Sequence, residues 1–282
     1  MKIKTAFKSQ RTATLYAVVL AVVSSLTFGC RSSHHAVQNS PATAKVPWYA
    51  DMAALESQLA KAIDDARDPN PTHISHTLMP VRQDYPGQEW TVVDDRPMVL
   101  VTTLVDSSRL KRFFSGDGAY RINREMGTWV TLPADWQRKH AIFQGLDSIA
   151  AHMRMVQLYG LSPDCDYTLM VSFYADPEGM FRPAADPDIT TTTVGFDFPA
   201  YADDNLTIGE THFREWFRYS YAGAYEDDTP LPWTRLGYTY DWHPGASREG
   251  LSEYIVGHNT LIKVKHVETA WQFIQNLSKH KR

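Results

Sequence analysis

The stretch that most constrains the fold is residues 233–256, which read WTRLGYTYDWHPGASREGLSEYIV. In its first part the large side chains of Leu236, Tyr238 and Tyr240 alternate with smaller or polar residues, which is the period of a half-buried strand. Residues 251–256 predict the next strand. The connector contains His-Pro-Gly and a second glycine, a composition that favours a longer loop over a two-residue hairpin turn. We therefore expect two strands joined by a loop.

Three side chains in or beside this loop are candidates for a site. Asp241 and Trp242 follow the first strand, and Glu253 comes after the loop. A rigid sheet can hold such carboxylates within reach of a ligand, and the indole of Trp242 can stack on a sugar ring. The structural alternative is that Asp241 caps the turn, Trp242 packs in the core and Glu253 is solvated.

A second polar segment, residues 176–193, reads DPEGMFRPAADPDITTTT. Its prolines and glycine predict an irregular conformation that places Arg182 and Asp186 at defined positions. Arg182 would bind an anionic group. Asp186 and Asp188 also offer the hard oxygens that Ca²⁺ prefers. Because the glycine and distant glutamate of an EF-hand loop are absent, we interpret both as turn residues and predict no metal and no cofactor.

The N-terminus has the pattern of an export signal. Residues 1–29 hold four basic residues and no acid, followed by an apolar run that ends at Gly29-Cys30. The run is shorter than the roughly 20 residues of a membrane span, so it predicts a secretory signal. The cysteine resembles that of the bacterial lipoprotein signal, which is acylated and becomes the mature N-terminus. Cys30 is therefore the predicted lipid anchor; the alternatives are cleavage without lipidation and an uncleaved anchor.

A tether is predicted between this anchor and the folded part. Residues 30–46 are rich in Ser, Ala, His and Asn and show no apolar period. Arg31 is not the Asp that favours inner-membrane retention in proteobacterial lipoproteins. We therefore expect a lipid-anchored protein of the cell envelope, at the outer membrane and facing the periplasm or the cell surface.

Residues 47–282 are predicted to form a single α+β domain. Apolar periodicity indicates helices over 51–67, 146–159 and 209–225, and strands over 98–105, 128–132, 167–174 and 261–267. Residues 98–105 are almost continuously apolar, as expected of a central strand covered on both faces. Strands and helices interleave without a βαβ rhythm. This favours a mixed or mostly antiparallel sheet of about five to seven strands with two or three packed helices.

Charge and cysteine content exclude two classes of function. Without residues 1–29 the chain carries 24 basic and 32 acidic residues, a net charge of −8, and it has no basic stripe, so nucleic acid is not an expected partner. Cys165 stands between Asp164 and Asp166, whose charges raise a thiol pKa. We therefore interpret Cys165 as structural rather than nucleophilic.

Three segments resemble a family of exported bacterial proteins. They are FRPAADPDI at residues 181–189, WTRLGYTYDW at residues 233–242 and GLSE at residues 250–253. The resemblance covers residues 98–267. It implies one coherent domain and carries no activity, cofactor or site.

Two functions are compatible with these features. Export, a tether and many aromatic residues without a catalytic set favour a non-catalytic envelope lipoprotein that binds a protein or glycan partner. The alternative is a carboxylate-dependent hydrolase of cell-wall or extracellular polysaccharide, with Arg182 and Trp242 binding substrate. Such chemistry needs two carboxyl groups about 5 to 9.5 Å apart. The candidate acids and bases are Glu178, Asp186, Asp241 and Glu253.

Overall fold

The apolar run after Arg96 forms the middle of a large sheet in a computed structural model, which describes residues 46–68 and 70–277. The strands of this sheet are β1 Trp90–Val93, β2 Arg96–Val105, β3 Ala119–Arg121, β4 Thr128–Thr131, β5 Leu169–Ala175, β6 Met180–Phe181, β9 Tyr238–Tyr240, β10 Glu249–Val256 and β11 Leu261–Thr269. A separate hairpin pairs β7 Thr207–Ile208 with β8 Thr211–His212. The helices are α1 Met52–Arg67, α2 Ser107–Phe113, α3 Pro133–Lys139, α4 Ser148–Leu158, α5 Phe213–Tyr225 and α6 Ala270–Leu277.

The order of strands in the sheet is β3-β11-β5-β2-β4-β10-β6, with β1 also paired to β2 and β9 to β10. Every strand pair within the described residues is antiparallel. The predicted α+β class with a mostly antiparallel sheet is therefore confirmed, and β2 is central as expected. The sheet has nine strands rather than five to seven. The additional ones include β3 and β6, which are too short to give a periodic signal.

Alternate side chains of the long strands separate into two faces. Val101, Phe173 and Tyr254 lie in the core on one face. On the other face, Leu104 and Leu251 belong to a cluster with residues of α3, α4 and α6. Further along β10 on that same helix-covered face, side chains pack against α5 in an aromatic cluster. The space between these two groups of helices is where the candidate site lies.

The first helix is attached to the body through its apolar stripe. Asp51 caps it by accepting a hydrogen bond of 3.1 Å from the backbone N of Ala54. Leu55, Leu59 and residues beside them pack against α4 and against Trp242. Each large apolar side chain buried in this way contributes about 1.5–3 kcal/mol.

Some predictions concern residues that the structure does not describe. The signal over residues 1–29, the acylation of Cys30 and the tether up to residue 45 lie outside the described part. Within residues 46–68 and 70–277, no helix has both the length and the apolar character needed to cross a bilayer.

Candidate functional site

A cavity of about 380 Å³ lies on the helix-covered face of the sheet. The strands β2, β4 and β10 form one side of it, and α5, the segment after α5 and the end of α4 form the other. Its lining residues include, from the sheet, Leu104, Trp129, Thr131 and Glu253, and from the other side Tyr159, Tyr167, Gly223, Trp233 and Tyr240.

The strand register brings Glu253 into this cavity. In the antiparallel pair of β4 and β10, Glu253 lies opposite Thr131 and Ile255 lies opposite Trp129. Directly opposite residues share a face of the sheet, and positions two apart on a strand share it as well. Because Ile255 packs against α5, Glu253 also points to the helix-covered face.

Glu253 is a buried residue with one carboxyl oxygen that has no hydrogen-bond partner among the described residues. The residue is only 5% exposed, and its Oε1 atom has no partner among the described residues. Burial raises the pKa of Glu253 well above its usual range, and the positive charge of Arg182 only partly opposes this shift. Burial thus shifts Glu253 toward its protonated form, which can donate a hydrogen bond.

Aromatic side chains form the walls around Glu253. Trp129 and Trp233 meet edge to face with ring centroids 6.0 Å apart, and Trp129 is 38% exposed. Thr131 is held by the indole N–H of Trp136, which donates to its Oγ1 at 2.9 Å, with the hydroxyl of Tyr159 3.3 Å away. Large flat apolar walls with a few fixed polar groups are typical of a small-molecule site.

Two arginines also line the cavity. The guanidinium of Arg109 stacks on the ring of Tyr167, 4.5 Å from its centroid, and pairs with Asp106, the N-cap of α2. Arg124 is half-buried, lies over the ring of Phe113 and makes no ion pair with the described residues. Burial lowers the pKa of Arg124, and the nearby charge of Arg109 lowers it further.

Asp241, a predicted site residue, is engaged in an ion pair. Its two carboxylate oxygens accept hydrogen bonds from Nη1 and Nη2 of Arg154 at 2.9 and 2.5 Å, and both side chains are 6% exposed. Asp241 also accepts from the backbone N of His243, so it caps the turn. Trp242 packs between α1 and α4, where its indole N–H donates to the carbonyl of Leu161 at 3.0 Å.

Arg182 donates to carbonyl groups of its own segment through Nε and Nη2, while its buried Nη1 atom has no hydrogen-bond partner among the described residues. Its Nε donates to the carbonyl of Asp188 at 3.2 Å, and its Nη2 donates to the carbonyls of Ile189 and Thr191 at 3.3 and 2.8 Å. The guanidinium also lies 5.0 Å from the ring centroid of Tyr254. The buried side chain is thus part of the interior.

The remaining predicted carboxylates are also bound locally. Asp186 accepts a hydrogen bond from the backbone N of Asp188 at 3.0 Å and another from the hydroxyl of Tyr201. Glu178 is exposed and pairs with Arg96 at 3.0 Å. Of the residues predicted as a site, Glu253 is the one in the cavity lining. The structure does not bring the others together there.

A second cavity, of about 560 Å³, shares Arg109, Leu161, Tyr167 and Leu231 with the first. Cys165 lies in its wall. Burial raises the pKa of the Cys165 thiol, and the charges of its two aspartate neighbours add to the shift. The predicted direction is confirmed, although burial contributes more than the aspartates do. No group of three or more His, Cys, Asp or Glu in the described part of the chain is placed to hold a metal ion.

The sequence did not indicate most residues of the cavity. Arg109, Arg124 and Trp129 come from separate parts of the chain, and no spacing rule connects them. Trp233 lies in the stretch 233–256, but the predicted site residues of that stretch were Asp241, Trp242 and Glu253. Only the strand register reveals that Thr131 and Glu253 face one another.

Three comparisons with known proteins found no match. No protein-family model, no curated protein and no solved structure matches the chain. The resemblance to exported bacterial proteins therefore stays a prediction.

Proposed function

We propose that this chain is a non-catalytic binding protein of the cell envelope whose ligand occupies the cavity at Glu253. The observation that carries the proposal is a buried carboxyl oxygen without a partner, set among aromatic walls. An unsatisfied buried polar atom costs about 1–3 kcal/mol. A ligand that hydrogen-bonds to Glu253 would recover this cost, and the walls would bury its apolar surface.

The number of carboxyl groups supports binding over hydrolysis. Among the described residues that line the cavity, Glu253 is the single carboxyl group. Glycoside hydrolysis in its usual form requires two, one on each side of the scissile bond. Asp241, the sequence-predicted partner, is neutralised by Arg154. The predicted polysaccharide hydrolase therefore has less support from this geometry than a binding protein has.

The size of the cavity limits what can enter. About 380 Å³ lies near the lower end of the range of small-molecule sites, which is about 300–1,000 Å³. The ligand is therefore a small molecule or one protruding group of a larger one. The protein or glycan partner expected from the sequence would insert one side chain or one sugar ring.

Gly223 offers a direct test because its substitution can obstruct the cavity without harming the fold. It is an exposed residue of α5 that lines the cavity, and a Cβ added to it would meet nothing within 4 Å. We expect Gly223→Leu to weaken binding of the neutral fluorescent probe N-phenyl-1-naphthylamine at least about tenfold, a loss of about 1.4 kcal/mol. Leucine is a better helix former than glycine, so stability should rise by about 0.5–1 kcal/mol.

Gly195→Leu is the matched control. Gly195 also has open space at its Cβ but does not line the cavity. Probe titration should give the wild-type affinity for this variant. Unchanged probe binding in Gly223→Leu would contradict the assignment of the site. If the wild type hydrolysed a nitrophenyl glycoside and Glu253→Gln did not, the protein would be an enzyme and not a binding protein.

A further inference from the structure

We propose that the ligand is a small organic anion, with an apolar body between the aromatic walls and a carboxylate, sulfonate or phosphate group that binds Arg124 and Arg109. This inference rests on the proposed function, because it concerns the same cavity. It adds the charge of the ligand and the orientation of the ligand in the cavity.

Arg124 supplies the main argument. Burying a charge without a partner is unfavourable, and the guanidinium of Arg124 is half-buried with no carboxylate paired to it in the described residues. The positive charges of Arg109 and Arg112 repel it, and Tyr167 opposes this repulsion only in part. The depressed pKa of Arg124 reflects the same burial and repulsion. A bound anion would offset both the cost of burial and the repulsion. A guanidinium also presents paired N–H donors that match carboxylate, sulfonate or phosphate oxygens.

Arg109 is positioned in advance for the same role. Its stacking on Tyr167 and its pairing with Asp106 fix the guanidinium where it lines both cavities. A guanidinium has five N–H donors, so one carboxylate partner leaves donors available to a ligand. Because the group is already ordered, binding costs little side-chain entropy.

Glu253 determines the orientation of the body. Glu253 is buried at the sheet side of the cavity, where burial disfavours a negative charge and where a second anion would be repelled if the carboxyl group were ionised. The anionic group therefore belongs at the arginines, while the apolar part lies against Trp129 and Trp233. Flat apolar surface suits these walls because aromatic rings bury large areas with few rotatable bonds.

Two fluorescent probes separate charge from shape. The dye 8-anilinonaphthalene-1-sulfonate and N-phenyl-1-naphthylamine share one aromatic body and differ by a sulfonate. We expect the wild type to bind the sulfonate roughly tenfold more tightly at low salt. Arg124→Met should remove most of this preference, the rest being due to Arg109, and should leave the affinity for the neutral probe within about twofold. A salt titration of the wild type gives the same information without a mutation, because added salt should weaken the binding of the sulfonate probe and leave that of the neutral probe unchanged.

Arg82→Met is the control for charge, since Arg82 is an exposed arginine outside the cavity. It should leave both affinities unchanged. Displacement of the dye by naphthalene-2-carboxylate or by decanoate supports the proposal if it is lost in Arg124→Met. The more effective of the two competitors shows whether the cavity prefers an aromatic body or an acyl chain.

Three results would overturn the inference. They are equal binding of the two probes by the wild type, no effect of Arg124→Met on the sulfonate, and equal weakening of both probes by that variant. Binding of neither probe, or binding that Gly223→Leu does not reduce, would instead refute the cavity as the ligand site. The failure of the proposed function is thus distinguishable from the failure of the ligand class.

Discussion

Replacing Asp241 by alanine is expected to lower the free energy of unfolding by about 3–5 kcal/mol, because the guanidinium of Arg154 would remain buried without its partner. This is a large part of the total stability of about 5–15 kcal/mol that is usual for a domain. Urea denaturation followed by tryptophan fluorescence measures the change. A loss below about 1 kcal/mol would contradict the structural role of the pair.

Two further variants show whether burial causes this loss. Asp84 pairs with Arg82 through two hydrogen bonds of 3.0 and 2.8 Å, but both side chains are exposed. Asp84→Ala should therefore leave the free energy of unfolding almost unchanged, because solvent screens an exposed ion pair. The double variant Arg154→Met with Asp241→Leu should recover most of the loss, since apolar side chains can replace a buried ion pair at little cost.

Replacing Glu253 by glutamine is expected to raise the free energy of unfolding relative to the wild type, by an amount that grows as the pH rises. The folded-state pKa of Glu253 is raised, so below about pH 4.3 both folded and unfolded states hold the proton and the group contributes nothing. Above that pH the unfolded state ionises first. The wild type then loses about 1.4 kcal/mol of unfolding free energy per pH unit until its own folded-state pKa is reached. Glutamine does not titrate and avoids this loss.

The measurement compares urea unfolding of Glu253→Gln and the wild type at about pH 4 and about pH 8. The two proteins should be nearly equal at the lower pH and differ clearly at the higher one. Asp135 is another buried carboxyl group with a raised pKa, but it is present in both proteins and cancels in the difference. A difference that does not change with pH would show that Glu253 is ionised throughout, for example as a charge partner of Arg182.

The regular elements could be predicted because their signals are local. Residues 51–67 repeat apolar side chains at helical spacing after a capping aspartate, and α1 begins at Met52 with that cap in place. For α4, Asp147 is the cap, and Gly160 adopts a positive φ of 70° just beyond the end of the helix. The strand β2 was recognisable as central because a strand covered on both faces must be apolar throughout.

The site could not be predicted because its partners are remote in sequence. Asp241 and Arg154 are 87 positions apart, so no spacing rule connects them. Arg182 resembles a ligand-binding residue until its backbone carbonyl partners are known. Glu253 stands in a strand where a glutamate normally faces solvent, and its burial appears only in the folded structure, where helices cover that face of the sheet.

The segment that follows Arg182 is shaped by hydrogen bonds to the guanidinium of that residue. Carbonyl groups of residues 188, 189 and 191 converge on the guanidinium, much as the carbonyls of a metal-binding loop converge on a cation. Here the cation is covalently part of the chain. It cannot diffuse away, be exchanged for another ion or be extracted by a chelator. The shape of this loop is therefore fixed when the protein folds, and it does not depend on the ionic composition of the compartment in which the protein resides.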